Sequence, residues 1–183
     1  FQSSLRSLRK SIMFLKTNLH FHAAEDEKIA SHNIKQGIDY AKEQNFGVLA
    51  YTPHRKFLFE QEFSNYAESK GILLIRGIEI EIGKKHIVIL NCDKEAENIK
   101  SFKDVASYKK RKPDVLILAP HPFVFSPKSL KSSFLENIGL FDAVEMTVFS
   151  NIIFNFNKRA EAIAKKYGKP FIATSDTHFL KDI

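Results

Sequence analysis

The feature that most restricts the fold of this 183-residue chain is a repeated order of short apolar run, polar cluster and helical pattern. The runs fall at 17–21 (TNLHF), 47–51 (GVLAY), 72–80 (ILLIRGIEI), 86–90 (HIVIL), 114–119 (DVLILA), 142–148 (DAVEMTV) and 170–174 (PFIAT). Their length and β-branched content suit buried strands. Between the first two, Ser31 reads as the cap of a helix running to about Gln44, with Ile34, Ile38 and Ala41 at helical spacing. Residues 59–69, 95–111 and 155–167 read as further helices, the last closed by Gly168 and Pro170. Strands alternating with helices predict an α/β domain with a mostly parallel sheet, and seven runs in one domain favour a barrel over an open sheet. Gly83 with Lys84 and Lys85 reads as a hairpin turn, so the fourth strand returns antiparallel to the third.

The length suits one domain and is enough to bury roughly 70% of the unfolded surface without disulfides. Apolar types at 44% and charged types at 27% exclude a disordered or collagen-like chain. The net charge is +7, but Arg6, Arg9, Lys10 and Lys16 supply four of those charges with no acid among the first sixteen residues. Residues 1–16 therefore read as a basic N-terminal extension and 17–183 as the domain. Basic balance alone is a weak pointer to anionic partners. The KKRK tract at 109–112 reads first as a solvated helix end, where cations complement the helix dipole. Cys92 is the only cysteine and has no neighbouring His, which predicts a structural thiol in a reducing, cytoplasmic setting. No apolar stretch approaches the ~20 residues needed to span a bilayer, and the N-terminus lacks the apolar core of a signal peptide, so no membrane partner is expected.

The chemistry collects at the strand ends. Six of the seven His residues lie there: His20 and His22 as H-x-H, His54 in TPH, His86 opening the returning strand, His121 in APHP, and His178 with Asp176 in SDTH. Glu79 stands in RGIEIE on the third strand. In parallel α/β folds function gathers at the C-terminal ends of strands, and an antiparallel fourth strand brings the start of its run to the same rim. Imidazole and carboxylate donors without thiolates suit Zn²⁺, Mn²⁺ or Fe²⁺. One tetrahedral zinc needs four ligands, so this set implies two or three ions per chain.

H-x-H, T-P-H, G-x-E, a following His, A-P-H-P and S-D-x-H, in this order over residues 17–178, resemble the PHP (polymerase and histidinol phosphatase) superfamily. The resemblance implies a distorted (β/α)7, TIM-like barrel with a two- or three-metal centre on its rim. It implies that His20, His22, His54, Glu79, His86, His121, Asp176 and His178 are metal ligands, with Glu79 as the bridging carboxylate and Glu81 the fallback. The family places another acid or His soon after H-x-H; of Glu25, Asp26 and Glu27, Asp26 is preferred. His32 matches nothing in the pattern and reads as a surface residue. Pro53 stands where many members carry Asp, outside the direct ligand set. The chain stops five residues after His178, so it reads either as an excised part of a longer chain, its barrel incomplete at the C-terminus, or as a minimal and open barrel.

The activity implied is hydrolysis of a phosphoester by a hydroxide bridging two ions, with Asp176, His178 and Arg55 as the catalytic residues. Arg55 is also the leading candidate for binding the phosphate, because a guanidinium fork matches phosphate oxygens; Lys84 and Lys85 rank below it. Glu145 is a candidate to support the site from behind, and Asn151 a candidate substrate contact. The expected substrate is a phosphorylated small molecule, a nucleotide or a nucleic-acid end; monoester or diester and oligomeric state stay open. Two alternatives are an amidohydrolase-like metal hydrolase and a non-catalytic accessory domain of a larger nucleic-acid enzyme. Against the first, the strands from 72 to 119 offer no interior Lys to bridge metals.

Overall fold

The computed structural model describes residues 14–26, 30–148 and 155–183. Its centre is one seven-stranded sheet whose spatial order equals the sequence order: β1 Lys16–Phe21, β2 Phe46–Tyr51, β3 Leu73–Ile82, β4 Lys85–Leu90, β5 Leu116–Ala119, β6 Ala143–Met146 and β7 Phe171–Ala173. Neighbours run parallel except at β4, which is antiparallel to both β3 and β5. The β3–β4 hairpin turns on Gly83 and Lys84, both with positive φ (53° and 71°), the left-handed pair that matches strand twist in a two-residue loop.

The sheet curls into a nearly closed barrel. Phe21 and Thr177 form a parallel bridge across the seam, with His22 N–H donating to Thr177 O (3.1 Å) and Thr177 N–H to His20 O (3.3 Å). The buried Asn18 amide reinforces it, donating to Ser175 Oγ (2.5 Å) and Thr177 Oγ1 (3.1 Å). The segment after β7 thus pairs with β1, at the seam where the sequence led us to expect a minimal barrel to stay open.

Four longer helices cover the sheet: α1 Ile34–Glu43, α2 Gln61–Ser69, α3 Phe102–Arg111 and α5 Asn157–Lys166, with the short α4 Ser132–Glu136 between β5 and β6. Two helix readings need correction. α1 is capped by Asn33 rather than Ser31: the Asn33 side chain accepts from Gln36 N–H while Gln36 reaches back to Asn33 N–H, a reciprocal capping box. The helix expected over 95–111 is broken into a 3-10 turn, Lys94–Asn98, and α3, because the Ser101 side chain accepts from Asp104 N–H and restarts the helix there.

Apolar packing divides by sheet face. One layer between sheet and helices joins Ile78, Ile80, Ile87, Ile89 and Ile117 to Val105, Tyr108, Phe134 and Ala160, and takes in Cys92. A second joins Phe21, Leu49 and Tyr51 to Ile34, Ile38, Ala41 and Ala67. Cys92 is buried, and burial pushes its thiol up to about 12, as expected of a structural cysteine. The barrel interior is a smaller cluster, Ala50, Val88, Leu90, Leu118 and Ala143. At the KKRK tract, Lys109 Nζ binds Asp142 (2.6 and 2.7 Å), Arg111 binds Glu95, and Lys112 Nζ lies 2.8 Å from Asp93. The tract is a helix end tied to neighbouring acids. Among the described residues, no helix is long and apolar enough to cross a membrane.

Candidate metal centre

Strand alternation continues upward from the aliphatic interior into a layer of ionisable side chains. On β4, Val88 and Leu90 face the interior cluster and His86 follows on the same side; on β3, Glu79 lies opposite Val88 in the register. Because β4 is reversed, its first residues reach the rim where the parallel strands end. β2 pairs with β3 beyond Pro53: Glu79 N–H donates to Pro53 O (2.9 Å) and Arg55 N–H to Glu79 O (2.8 Å), which sets His54 beside Glu79. Arg55, His121 and Asp176 have positive φ (60°, 29° and 48°). A non-glycine residue held there costs on the order of 1–3 kcal/mol, a strain typical of functional sites.

Glu79 is the hub. It is 1% exposed, with Oε1 at 2.7 Å from His86 Nδ1, 3.5 Å from His20 Nε2 and 3.7 Å from His121 Nε2. Its Oε2 lies 2.8 Å from His54 Nε2 and 3.7 Å from His22 Nε2. Asp176 Oδ1 sits 3.4 Å from the Nε2 atoms of both His20 and His22, which are themselves 3.1 Å apart. Among the described residues, donor atoms converge in three overlapping triads: His22–His54–His178, His20–His22–Glu79 and His54–Glu79–His86. Glu81, the fallback, is only partly buried and belongs to none of them.

The imidazoles are fixed from behind. His20 Nδ1 meets Glu145 Oε2 at 2.8 Å. Asp26 Oδ2 meets the Nδ1 atoms of His22 (2.9 Å) and His54 (2.8 Å), while its Oδ1 accepts from His54 N–H (2.8 Å). His178 Nδ1 donates to Asp176 O (2.9 Å). Engaging Nδ1 fixes the ring and leaves Nε2 facing inward, the arrangement in which an outer carboxylate orients a metal-binding His. Asp26 thus departs from its expected place among the ligands: it lies on the Nδ1 side of two rings, outside every converging triad. Glu145 takes the supporting position foreseen for it.

Burial lowers the affinity of His20 for a proton, but the carboxylates of Asp176, Glu145 and Glu79 outweigh it and hold its pKa well above the ordinary value. Burial and the Asp26 and Glu79 carboxylates act the same way on His54, whose pKa is pushed up to about 9; His121 is raised too, burial being outweighed chiefly by Glu79. Conversely, burial would raise Glu79 and Asp176, yet the charge on His20 carries both below the usual carboxylate range. His178 goes the other way, lowered by burial and by His22. Without ions, the cluster is a proton-bridged array of imidazoles and carboxylates. Divalent cations suit it, since ligand atoms exchange bound protons for metal. Glu79 Oε2 carries the fit: it is buried and, although His54 Nε2 lies 2.8 Å away, no hydrogen bond to it is aligned among the described residues, which is costly unless something else binds it.

The cluster opens to a cavity of about 300 Å³ lined by His54, Glu79, His86, His121, Asp176 and His178 together with Val124, Ser126 and Lys128. Arg55, expected to hold phosphate, is not in that lining. Its left-handed backbone leaves the side chain exposed over a neighbouring cleft with Glu25, Asp26, Lys56 and Leu58. Lys84 is exposed at the hairpin tip, and Lys85 Nζ is spent on Pro127 O (3.1 Å) and Ser129 O (2.8 Å). Lys128 was not singled out by the sequence, where it is one of many lysines with no motif around it. His32 is not on the surface: it is 2% exposed, packs on Phe21 at 5.5 Å, and neither ring nitrogen has a hydrogen-bond partner among the described residues. Glu25 caps α1 through Ile34 N–H (3.1 and 3.2 Å). Glu27, Asn151 and most of the basic extension lie outside the described residues.

Three solved structures share this architecture. A two-domain protein of Bacteroides vulgatus containing a PHP-like metal-dependent phosphoesterase superposes with TM-score 0.70 at 20% identity over 91% of this chain. The fold is that of this PHP-like structure. This PHP-like chain spans about half, 53%, of that protein's length. A metal-dependent phosphoesterase, so named, of Bifidobacterium adolescentis gives TM-score 0.67 at 13% identity, covering 91% of this chain and 88% of its own. A Chromobacterium violaceum protein named an amidohydrolase, with bound sulfate and no metal, gives 0.66 at 15% identity, covering 90% and 88%. Residues 154–183 match the family model described as PHP-associated. No curated protein sequence matches the chain.

Proposed function

We propose that this PHP-like domain is a metal-dependent hydrolase of phosphoesters, with two or three divalent ions held by His20, His22, His54, Glu79, His86, His121, Asp176 and His178. The observation that carries the reading is the buried Glu79 carboxylate, ringed by the Nε2 atoms of His20, His22 and His54, with one oxygen lacking an aligned partner among the described residues, in the lining of a cavity. Zn²⁺, Mn²⁺ or Fe²⁺ bound there would supply a lowered pKa for water and positive charge for the phosphoryl oxygens.

The residues of the chain supply orientation and proton control. Asp26 and Glu145 hold three imidazoles in one tautomer, with Nε2 available to the cavity. Glu79 and Asp176, kept ionised by their surroundings, provide negative charge between the rings. His178, half-buried at the cavity with its Nδ1 proton donated to Asp176 O, is neutral near pH 7 and offers a lone pair at Nε2. Hydrolysis is then a matter of positioning water and phosphorus, with no Ser or Cys nucleophile required. Phosphorylated small molecules, nucleotides or nucleic-acid ends fit this chemistry.

Elemental analysis of the purified protein and phosphate release from simple esters test the reading together. Two or more ions per chain with phosphate release support it. Fewer than two ions, or turnover of amides without phosphate release, would overturn it, the latter in favour of the amidohydrolase alternative.

A further inference from the structure

The loop after β5 supplies everything in the cavity lining that is not part of the ion-binding cluster: Val124, Ser126 and Lys128. It is built as a braced arm. Lys131 N–H donates to Pro122 O (2.8 Å), Ser126 N–H to Val124 O (2.8 Å), and Lys128 N–H to Ser126 Oγ (3.1 Å). His86 N–H donates to Lys128 O (2.9 Å), and Lys85 Nζ grips the carbonyls on either side of it, Pro127 O and Ser129 O. The backbone of Lys128 is therefore pinned to the start of β4, next to a member of the cluster. Its side chain is exposed and forms no ion pair among the described residues, in contrast to Lys109, Arg111 and Lys112, which all meet acids. Ser126 Oγ, having accepted one hydrogen bond, keeps its own O–H to donate.

We propose that this arm is the phosphoryl-holding side of the site and that it selects phosphomonoesters over phosphodiesters; this rests on the hydrolase reading above. A monoester carries three non-bridging oxygens and, near neutral pH, close to two negative charges, whereas a diester has two such oxygens and one charge. Ions held by the cluster would supply positive charge for the oxygens on that side. Lys128 Nζ and the Ser126 hydroxyl then have a role with the oxygen that only a monoester leaves over. An ammonium at the end of a flexible stem acts as a point charge for such an oxygen.

The test uses the metal-loaded full chain and the variants Lys128→Ala and Lys128→Arg, with p-nitrophenyl phosphate, bis(p-nitrophenyl) phosphate and inorganic phosphate as probes. In Lys128→Ala, inorganic phosphate should bind ~10- to 100-fold more weakly, the scale of one lost charge-assisted hydrogen bond. KM for the monoester should rise in step, with kcat and ion content nearly unchanged. The diester should be little affected, and Lys128→Arg should recover most of the phosphate affinity. Unaltered phosphate binding in Lys128→Ala overturns the proposal, and equal losses on both esters overturn the monoester preference. A wild type that binds ions but cleaves neither ester sinks the hydrolase reading instead, while phosphate calorimetry still decides whether the arm binds the anion.

Discussion

The two ends of the barrel interior are built from the same strands by the same alternation, yet they do opposite things. At one end β4 contributes Val88 and Leu90, β5 Leu118 and β6 Ala143, an aliphatic plug. At the other, β3, β4 and β6 contribute Glu79, His86 and Glu145, all buried. Burying apolar groups stabilises the fold at about 25 cal/mol per Å². Burying a carboxylate is costly unless it is paired, and here pairing is supplied by imidazoles whose pKa values the carboxylates raise in return. What separates stability from chemistry is position along the strand, one or two residues of the same periodicity.

The largest separation of the two ends is expected from Glu79→Gln. Losing the hub carboxylate should cut phosphoester hydrolysis by about a thousandfold or more, the equivalent of several kcal/mol of charge stabilisation, and lower ion content while circular dichroism stays folded. Leu118→Ala is the mirror experiment. It should cost about 2–5 kcal/mol in denaturant unfolding through the cavity it leaves, with the number of bound ions unchanged; loss of ions would mean that the two ends are not independent.

A pH series distinguishes them without mutation. The pKa of His54 is raised to about 9, so in the metal-free protein its pairing with Asp26 and Glu79 stabilises fully below ~6.5 and is lost as pH rises through about 9. His20 and His121 are shifted in the same direction. Metal-free protein should therefore lose thermal stability from pH 7 to 10, while metal-loaded protein, whose imidazoles are already deprotonated, should not. Calorimetry of metal binding near pH 7 in buffers of different ionisation enthalpy should show proton release, and affinity should fall as pH is lowered. The smallest effect is assigned to Asp26→Asn. As a group that orients His22 and His54, it should weaken metal binding by roughly 10- to 100-fold and leave some hydrolysis at saturating metal; complete loss of ions would return Asp26 to the ligand set.

Much of this was legible in the chain. All seven strands fell within a few residues of their apolar runs, because each run is apolar, rich in β-branched residues and bounded by polar clusters. The antiparallel return of β4 followed from the Gly83 turn, and with it the convergence of His86 with the other rim histidines. Recurring ligand types at strand ends made the donors visible because strand-end position is itself a sequence feature. Errors came where sequence distance misreports spatial distance. Arg55 adjoins His54, but a left-handed residue turns it out of the cavity. Asp26 follows H-x-H closely but lies behind the rings. His32 carries no pattern and is buried by the packing of α1 against Phe21.

The sequence by itself determined which residues could bury, where strands and helices alternate, and which donor chemistry collects at the strand ends, since these depend on side-chain type and local periodicity. Tertiary structure alone decided which face of each imidazole is held from behind, which of 28 basic residues meets an acid and which meets the cavity, and how the segment around Thr177 closes on β1. Those are contacts between residues up to 159 positions apart, as in Asn18 with Thr177, and they depend on how the barrel curls and on the backbone strain at three rim residues, neither of which has a local signature.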